Sequence, residues 1–356
     1  MKSKLTWIFL AAVAVAIKIF SLFPPLVEHV YSTRIFPVIA EGLRFLFGWI
    51  PFSIGDVLYT ITGVYLLRKI FVFIQLAIRK QLTRPLLRLT VEKLLFACLV
   101  VYILFNVLWG LNYNRIPMAR QIGLTLEPYS TQNLQAVAGV LVNKLNSFDS
   151  GATRERTRLE EKKILFGEAV QSYGLARAQY PLLRYGVASV KPSIFSYAGN
   201  YIGFTGYYNP FSGEAQTNTT VPSFVQPFTT CHEIGHQLGY AKENEANFAG
   251  FLSARLSHDP AFRYSVYFDM YSYVQSELFR RDSVMARGFN ERLHHNVRED
   301  YKTIRAFYRR YENPFGSVIW KLYAHYLRAN QQPSGLNSYN EVVAMLVAFY
   351  RRNRSI

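Results

Sequence analysis

The pattern of the chain predicts an α+β protein that is mostly helical, with three N-terminal transmembrane helices followed by a domain of many helices around a small β-sheet. Three observations carry this. Residues 1–111 hold three long apolar stretches and only 12 Lys/Arg and 4 Asp/Glu, clustered in a few places, whereas residues 112–356 hold 28 and 19 and read as a globular domain. Beyond residue 111, apolar residues recur at helical spacing in most segments. One segment, 187–222, breaks that pattern with Tyr, Phe, Thr and Ser punctuated by Gly, Pro and Asn, which marks short strands joined by turns. Two units are therefore expected, 1–111 and 112–356.

The first apolar stretch, 5–23, has a single charge, Lys18, close enough to its end for the ammonium to reach the headgroups. A cleavable leader needs small residues at its cleavage site, but Pro24, Pro25 and bulky side chains follow, so this stretch is expected to remain as an anchor. The second, 50–67, stays apolar to residue 78 and contains Asp56 near its start, where an acid can cap a helix or make a packing contact. The third, 94–111, ends in Trp109 and Tyr113, side chains that favour the membrane interface.

Lys and Arg in short loops set the orientation. Lys2, Lys4, Arg68, Lys69, Arg79, Lys80, Arg84, Arg88 and Lys93 fall on one side, while the loop 24–49 offers Arg34 and Arg44, balanced by Glu28 and Glu41. The N-terminus is expected in the cytoplasm, and three spans then place the later domain outside, at the periplasmic or cell-surface face of the cytoplasmic (inner) membrane. These charges, facing anionic headgroups, also account for part of the formal net charge of +17. The lipid bilayer is thus an expected partner; nucleic acid is not, because the later domain has no basic patch interleaved with stacking aromatics. With 50% hydrophobic and 18% charged residues, disordered and collagenous chains are excluded. Cys98 and Cys231 are placed badly for a bridge, so no disulfide is expected.

In the later domain, 130–148 reads as an amphipathic helix behind a Ser/Thr cap, and 154–180 as a second helix ended by Pro181. After the strand-rich segment, helices are expected from 227 onward, including 243–256, 264–281, 298–311, 318–329 and 339–351.

Chemistry concentrates in His232-Glu233-Ile234-Gly235-His236, which reads H-E-x-x-H. On a helix the two histidines stand one turn apart on one face, so both imidazoles can reach one zinc ion. Glu233 then lies close enough to act as general base on water. With 7 His and 17 Glu in 356 residues, composition alone yields roughly 0.006 such matches. Gly239 is a natural stop for that helix, and a turn there swings the segment 243–248 back toward the histidines. A catalytic zinc takes three protein ligands and keeps one position open. The third is expected from Glu243 or Glu245. Glu243 is preferred, because Asn247 then falls one turn later on the same face, where it can hydrogen-bond a ligand from outside. Either acid would also suit a plain helix N-terminus.

The segments PFSIGD (51–56), WGLNYNR (109–115), PFSGEAQTN (210–218), HEIGHQLGYAKENEANF (232–248) and GLNSYNEVV (335–343) resemble the bacterial membrane-protein family called domain of unknown function 3810. The resemblance runs over nearly the whole chain and implies a three-span membrane protein with a zincin-like metalloprotease domain. More distantly, Glu243-Asn244-Glu245-Ala246-Asn247 is similar to the E-x-x-A-D element of gluzincin-type membrane metalloproteases, whose first Glu is the third zinc ligand. That likeness selects Glu243, with Asn247 in place of the Asp and a much shorter gap after the second histidine.

The function expected is a membrane-anchored, zinc-dependent metallohydrolase, first of all a peptidase. One zinc ion on His232, His236 and Glu243 would activate water, and Glu233 would carry the protons for a peptide or protein substrate. Tyr339, His294, His295 and His325 are candidates for the oxyanion donor, and each reads equally as an ordinary surface or packed polar residue. The strands before the motif can supply an edge for an extended peptide, with Glu214 and Asn218 near it as candidates for the substrate side or as ordinary turn residues beside Gly213. Cys231 is read as a packed helix residue. Two other readings stand beside this one: a zincin-fold envelope protein that binds or senses without catalysis, and a zinc amidase acting on a cell-wall amide.

Overall fold

The computed structural model describes residues 3–148, 156–330 and 338–356. The protein is mostly helical, with one three-stranded sheet. Helix α1 (Lys4–Ser21) opens on a Ser3 cap. A π-helical stretch, Val27–Ile35, then leads into α2 (Phe36–Phe47), followed by α3 (Ile54–Ile78) and α4 (Arg84–Leu108). Helices α1, α3 and α4 are each long and apolar enough to cross a membrane, and the apolar stretches of α3 and α4 are left unburied by protein. A continuous apolar surface of that size fits membrane association.

The boundaries differ from expectation in physically simple ways. Helix α3 starts at 54 because the Ser53 hydroxyl accepts the Asp56 N–H at 3.0 Å. Helix α4 starts at 84, capped by Thr83 with Pro85 in its first turn, and ends before Trp109. The charged loop contracts to 79–83, and Arg68, Lys69, Arg88 and Lys93 ride on helices. The segment 24–49, expected as a loop, is largely helical. Pro24 and Pro25 do not break it because they occupy the first turn, where a missing N–H costs nothing, and Pro37 falls where the π-helical stretch passes into α2. One face of it buries Glu28, Tyr31, Phe36, Ala40 and Arg44.

Helix α5 (Thr131–Asn146) begins with a reciprocal Ser130–Asn133 capping box and buries Leu134, Val137, Leu141 and Leu145 at the expected spacing. Helix α6 (Lys162–Gln179) follows, and Arg154, the expected start of this helix, lies outside the described residues. The strand-rich segment gives β1 (Val190–Pro192), β2 (Gly206–Asn209) and β3 (Glu214–Thr217), with an unexpected short helix, α7 (Ser196–Ile202), between the first two. Strand β3 is central: β1 runs parallel to it, with Val190 opposite Ala215, and β2 antiparallel, with Tyr207 opposite Gln216. The remaining helices are α8 (Gln226–Gln237), α9 (Glu243–Ala254), α10 (Pro260–Arg281), α11 (Ser283–Glu291), α12 (His295–Arg310), α13 (Gly316–Ala329) and α14 (Ser338–Asn353). Only α11 among these was not anticipated.

The main core joins α5, α6, α8, α9, α10 and α14 around Tyr173, Phe248, Phe251, Phe262 and Phe349. Cys231 is buried in it as a free thiol, and Cys98 is free and exposed on α4. A second apolar cluster spans position 111, uniting Ile17, Val27, Tyr31, Phe36 and Trp109 with Tyr208 and Ala241. Polar contacts reinforce that junction. Glu214, at the start of β3, accepts the N–H groups of Ile54 (3.2 Å) and Gly55 (2.7 Å), so a carboxylate sits on the positive N-terminus of α3. Asp56 makes the packing contact, accepting from the Ile194 N–H at 2.8 Å and from the Tyr207 hydroxyl of β2. PFSIGD and PFSGEAQTN thus meet in space.

Candidate metal centre

Helix α8 carries the H-E-x-x-H residues and ends in a turn that only glycine makes easily. Gly239 has φ +81°, its N–H bonds the His236 carbonyl at 3.0 Å, and the Tyr240 N–H reaches back to Gly235 at 3.2 Å. The last carbonyls of α8 receive side chains from the N-terminal part of the chain. The Trp109 indole N–H donates to His236 at 3.1 Å, Arg44 donates to Gln237 at 3.1 Å, and Arg115 donates to Leu238 (3.3 Å) and Gly239 (3.2 Å). Two cations at the negative end of a helix are favourably placed. Arg115 is itself held by the buried carboxylate of Glu28 at 2.7 Å.

The turn returns α9 against α8, and its first residue, Glu243, faces both histidines. Glu243 Oε2 lies 3.4 Å from His232 Nε2, and Oε1 lies 3.7 Å from His236 Nε2. A tetrahedral zinc with bonds of about 2.0 Å separates its ligand atoms by about 3.3 Å, so the three donors have close to the spacing one ion needs. The donor chemistry fits as well. His236 Nδ1 lies 2.8 Å from the Tyr240 carbonyl, which can only accept, so Nδ1 carries the proton and Nε2 offers its lone pair. Glu233 stands beside them, with Oε1 4.0 Å from His232 Nε2 and a buried Oε2 that has no partner. His232, Glu233 and His236 form a compact group of possible metal-binding atoms.

Electrostatics without a cation are correspondingly uneven. Burial opposes the His232 imidazolium, but the Glu243 and Glu233 carboxylates outweigh it and lift this histidine to about 9. Burial, helped by the Glu243 carboxylate, pushes Glu233 up to about 8, and burial, helped by the positive charge of His232, pushes His236 down to about 4. Burial also works against the Glu243 carboxylate, yet the two histidines and the Tyr323 hydroxyl, which donates to Oε1 at 2.8 Å, bring it down to about 2. Glu243 is thus kept ionised by the histidines and the Tyr323 hydroxyl around it.

The group lines a cleft of about 690 Å³ whose other walls are strongly aromatic, among them Trp109, Tyr113, Phe204, Tyr208, Trp320 and Tyr326. Strand β2 lies along the cleft as an edge of the sheet.

The remaining residues singled out in the sequence are placed elsewhere. Glu245 turns away from the histidines, and its Oε1 accepts the Met118 N–H at 3.0 Å. Glu214 is engaged at the start of α3, and Asn218 is buried, donating to Ser196 O and Asn200 Oδ1; neither lines the cleft. His294, His295 and His325 are exposed on the surface away from it. Tyr339 belongs to the first turn of α14, and its side chain lies outside the described residues. Asn247 does line the cleft beside His232, where its amide favours the protonated ring.

Sequence reasoning missed Tyr323, which orients Glu243, and Asp269, a cleft carboxylate with an unpartnered Oδ2 that burial pushes up to about 7. Both lie on ordinary-looking helices far along the chain, with no local motif to mark them.

These features define a helix-rich protein with three apolar helices of membrane length and a His/Glu cluster in the wall of an aromatic cleft. The chain belongs to the family described as Protein of unknown function (DUF3810), whose model matches residues 31–347. No curated protein and no solved structure matches it.

Proposed function

We propose that the protein is a membrane-anchored zinc metallohydrolase of zincin type, most directly a peptidase, with its cleft on the extracytoplasmic side of the cytoplasmic membrane. The observation that carries this reading is the convergence of His232 Nε2, His236 Nε2 and the Glu243 carboxylate beside Glu233 on one cleft wall. A zinc ion held there supplies a Lewis acid that acidifies water and polarises a carbonyl. His232 and His236 bind through Nε2, the latter oriented by Tyr240 O, and Glu243 is oriented by Tyr323. Glu233 takes the proton of the attacking water on its carboxylate and passes it to the leaving nitrogen. The edge of β2 offers backbone groups to an extended peptide. The excess of Lys and Arg at residues 2–4 and 68–93 supports the orientation.

The test is metal content by mass spectrometry on detergent-purified full-length protein, with peptide turnover measured on the same samples. Wild type is expected to carry one zinc per chain, lost in His232→Ala and Glu243→Ala and kept in Glu245→Ala. Glu233→Gln is expected to keep zinc and lose turnover. Absence of metal after zinc is supplied, or turnover undiminished in Glu233→Gln, overturns the proposal.

A further inference from the structure

Two walls of the cleft belong to helices of membrane length. Tyr59 lies five residues into α3, about 7 Å from its start, and Val101 and Phe105 lie near the end of α4. On α4, Val101 and Phe105 stand one turn apart on one face, and Trp109, which caps the end of the helix, packs its ring against Phe105. The stripe begins at the histidines, where the Trp109 and His236 rings are 5.9 Å apart, passes to Phe105, again 5.9 Å from Trp109, and continues to Val101, which is 53% exposed. Over eight residues it covers about 12 Å of helix. Helix α1 packs on α4, with Trp7 and Phe96 edge to face at 5.6 Å, whereas α3 has no extensive packing against α1 or α4 among the described residues. The cleft is therefore flanked by two apolar helices that are not closed on each other.

We infer that substrate reaches the cleft sideways from the outer leaflet, between α3 and α4, and that it is a polypeptide anchored in the bilayer and cut beside its anchor. This rests on the hydrolase reading and names its substrate class. The apolar stripe continues the bilayer interior toward the His/Glu cluster, so a chain that carries an apolar segment can slide along it without exposing that segment to water. A free lipid would use the stripe alone. The edge of β2, through Gly206, Tyr207 and Tyr208, lines the same cleft and gives an extended backbone something to pair with, which favours a polypeptide.

The experiment is photocrosslinking on the full chain carrying Glu233→Gln, in nanodiscs of phosphatidylethanolamine and phosphatidylglycerol, with benzoylphenylalanine at position 101 or, as a control for random encounter, at the exposed position 91. The probes are a synthetic peptide with a polar segment followed by a leucine-rich transmembrane segment, and the polar segment alone. The tethered peptide is expected to label position 101 at least tenfold more than position 91, and at least tenfold more than the untethered peptide does. Equal labelling at both positions, equal labelling by both peptides, or lipid adducts alone at position 101 overturns the inference. Zinc content of the same samples separates the two levels: a zinc-loaded protein that fails to select the tethered peptide overturns lateral access only, whereas a protein that binds no zinc removes the hydrolase reading and this inference with it.

Discussion

Gly206 shows how narrowly Glu233 is placed. A Cβ at this position would lie 2.6 Å from Glu233 Oε1, 2.8 Å from its Cγ and 2.9 Å from the Gln216 carbonyl. Gly206→Ala is therefore expected to displace the carboxylate and lower turnover by about 100-fold while zinc stays bound, since a misplacement near 1 Å costs about that much; turnover within a few-fold of wild type would refute this. Asn247 tests the support behind a ligand. It lines the cleft beside His232, its Oδ1 accepts from the Tyr273 hydroxyl at 3.3 Å, and its amide favours the protonated His232 ring. Asn247→Ala is expected to weaken zinc binding by about 10- to 100-fold in a chelator competition assay, with the fold intact. The His232, Glu233, His236 group was legible in the sequence because helical spacing is local and H-E-x-x-H states it directly. Glu243 was legible only as one of two candidates, because choosing between 243 and 245 depends on how α9 packs. Glu214 stayed open for a related reason: a polar residue at a strand end reads as a substrate contact or a structural one until the helix it caps, 160 residues earlier, is in view.

Helix α8 draws much of its C-terminal support from outside the segment that contains it. Arg44, Trp109 and Arg115 satisfy carbonyls that an isolated helix would leave to water. Removing Arg115 leaves the Glu28 carboxylate buried without its counter-charge, held by the Ile116 N–H and the Gln121 amide, so Arg115→Ala is expected to cost about 3–5 kcal/mol and to lower zinc occupancy. The pair Glu28→Leu with Arg115→Met is expected to recover most of the stability, because no uncompensated charge remains; thermal unfolding in detergent distinguishes the two, and equal loss in both would refute the assignment. Element by element, long periodic helices such as α5 and α10 were readable from their apolar spacing. The run from Val27 to Phe47 was not, because its prolines suggest a loop and its buried charges, Glu28 and Arg44, break the apolar face that a sequence pattern needs.

At the scale of the molecule, the orientation proposed from charge is testable by cysteine labelling in a Cys98→Ala background. Gln81→Cys, in the turn between α3 and α4, is expected to resist a membrane-impermeant maleimide in cells with an opened outer envelope. Asn296→Cys, exposed on α12, is expected to react; the reverse pattern overturns the orientation. The division at residue 111 was legible as a change of composition, but composition carries no information on contact, and the shared cluster of Trp109, Tyr31 and Phe36 with Tyr208 and Ala241 ties the two parts into one folding problem. The clamp on α8 has a biosynthetic consequence. Ribosomes deliver Arg44, Trp109 and Arg115 before the helix they hold, so the groups that clamp α8 are already synthesised when that helix emerges. A chain whose N-terminal helices are not in place also lacks the scaffold that holds the end of α8.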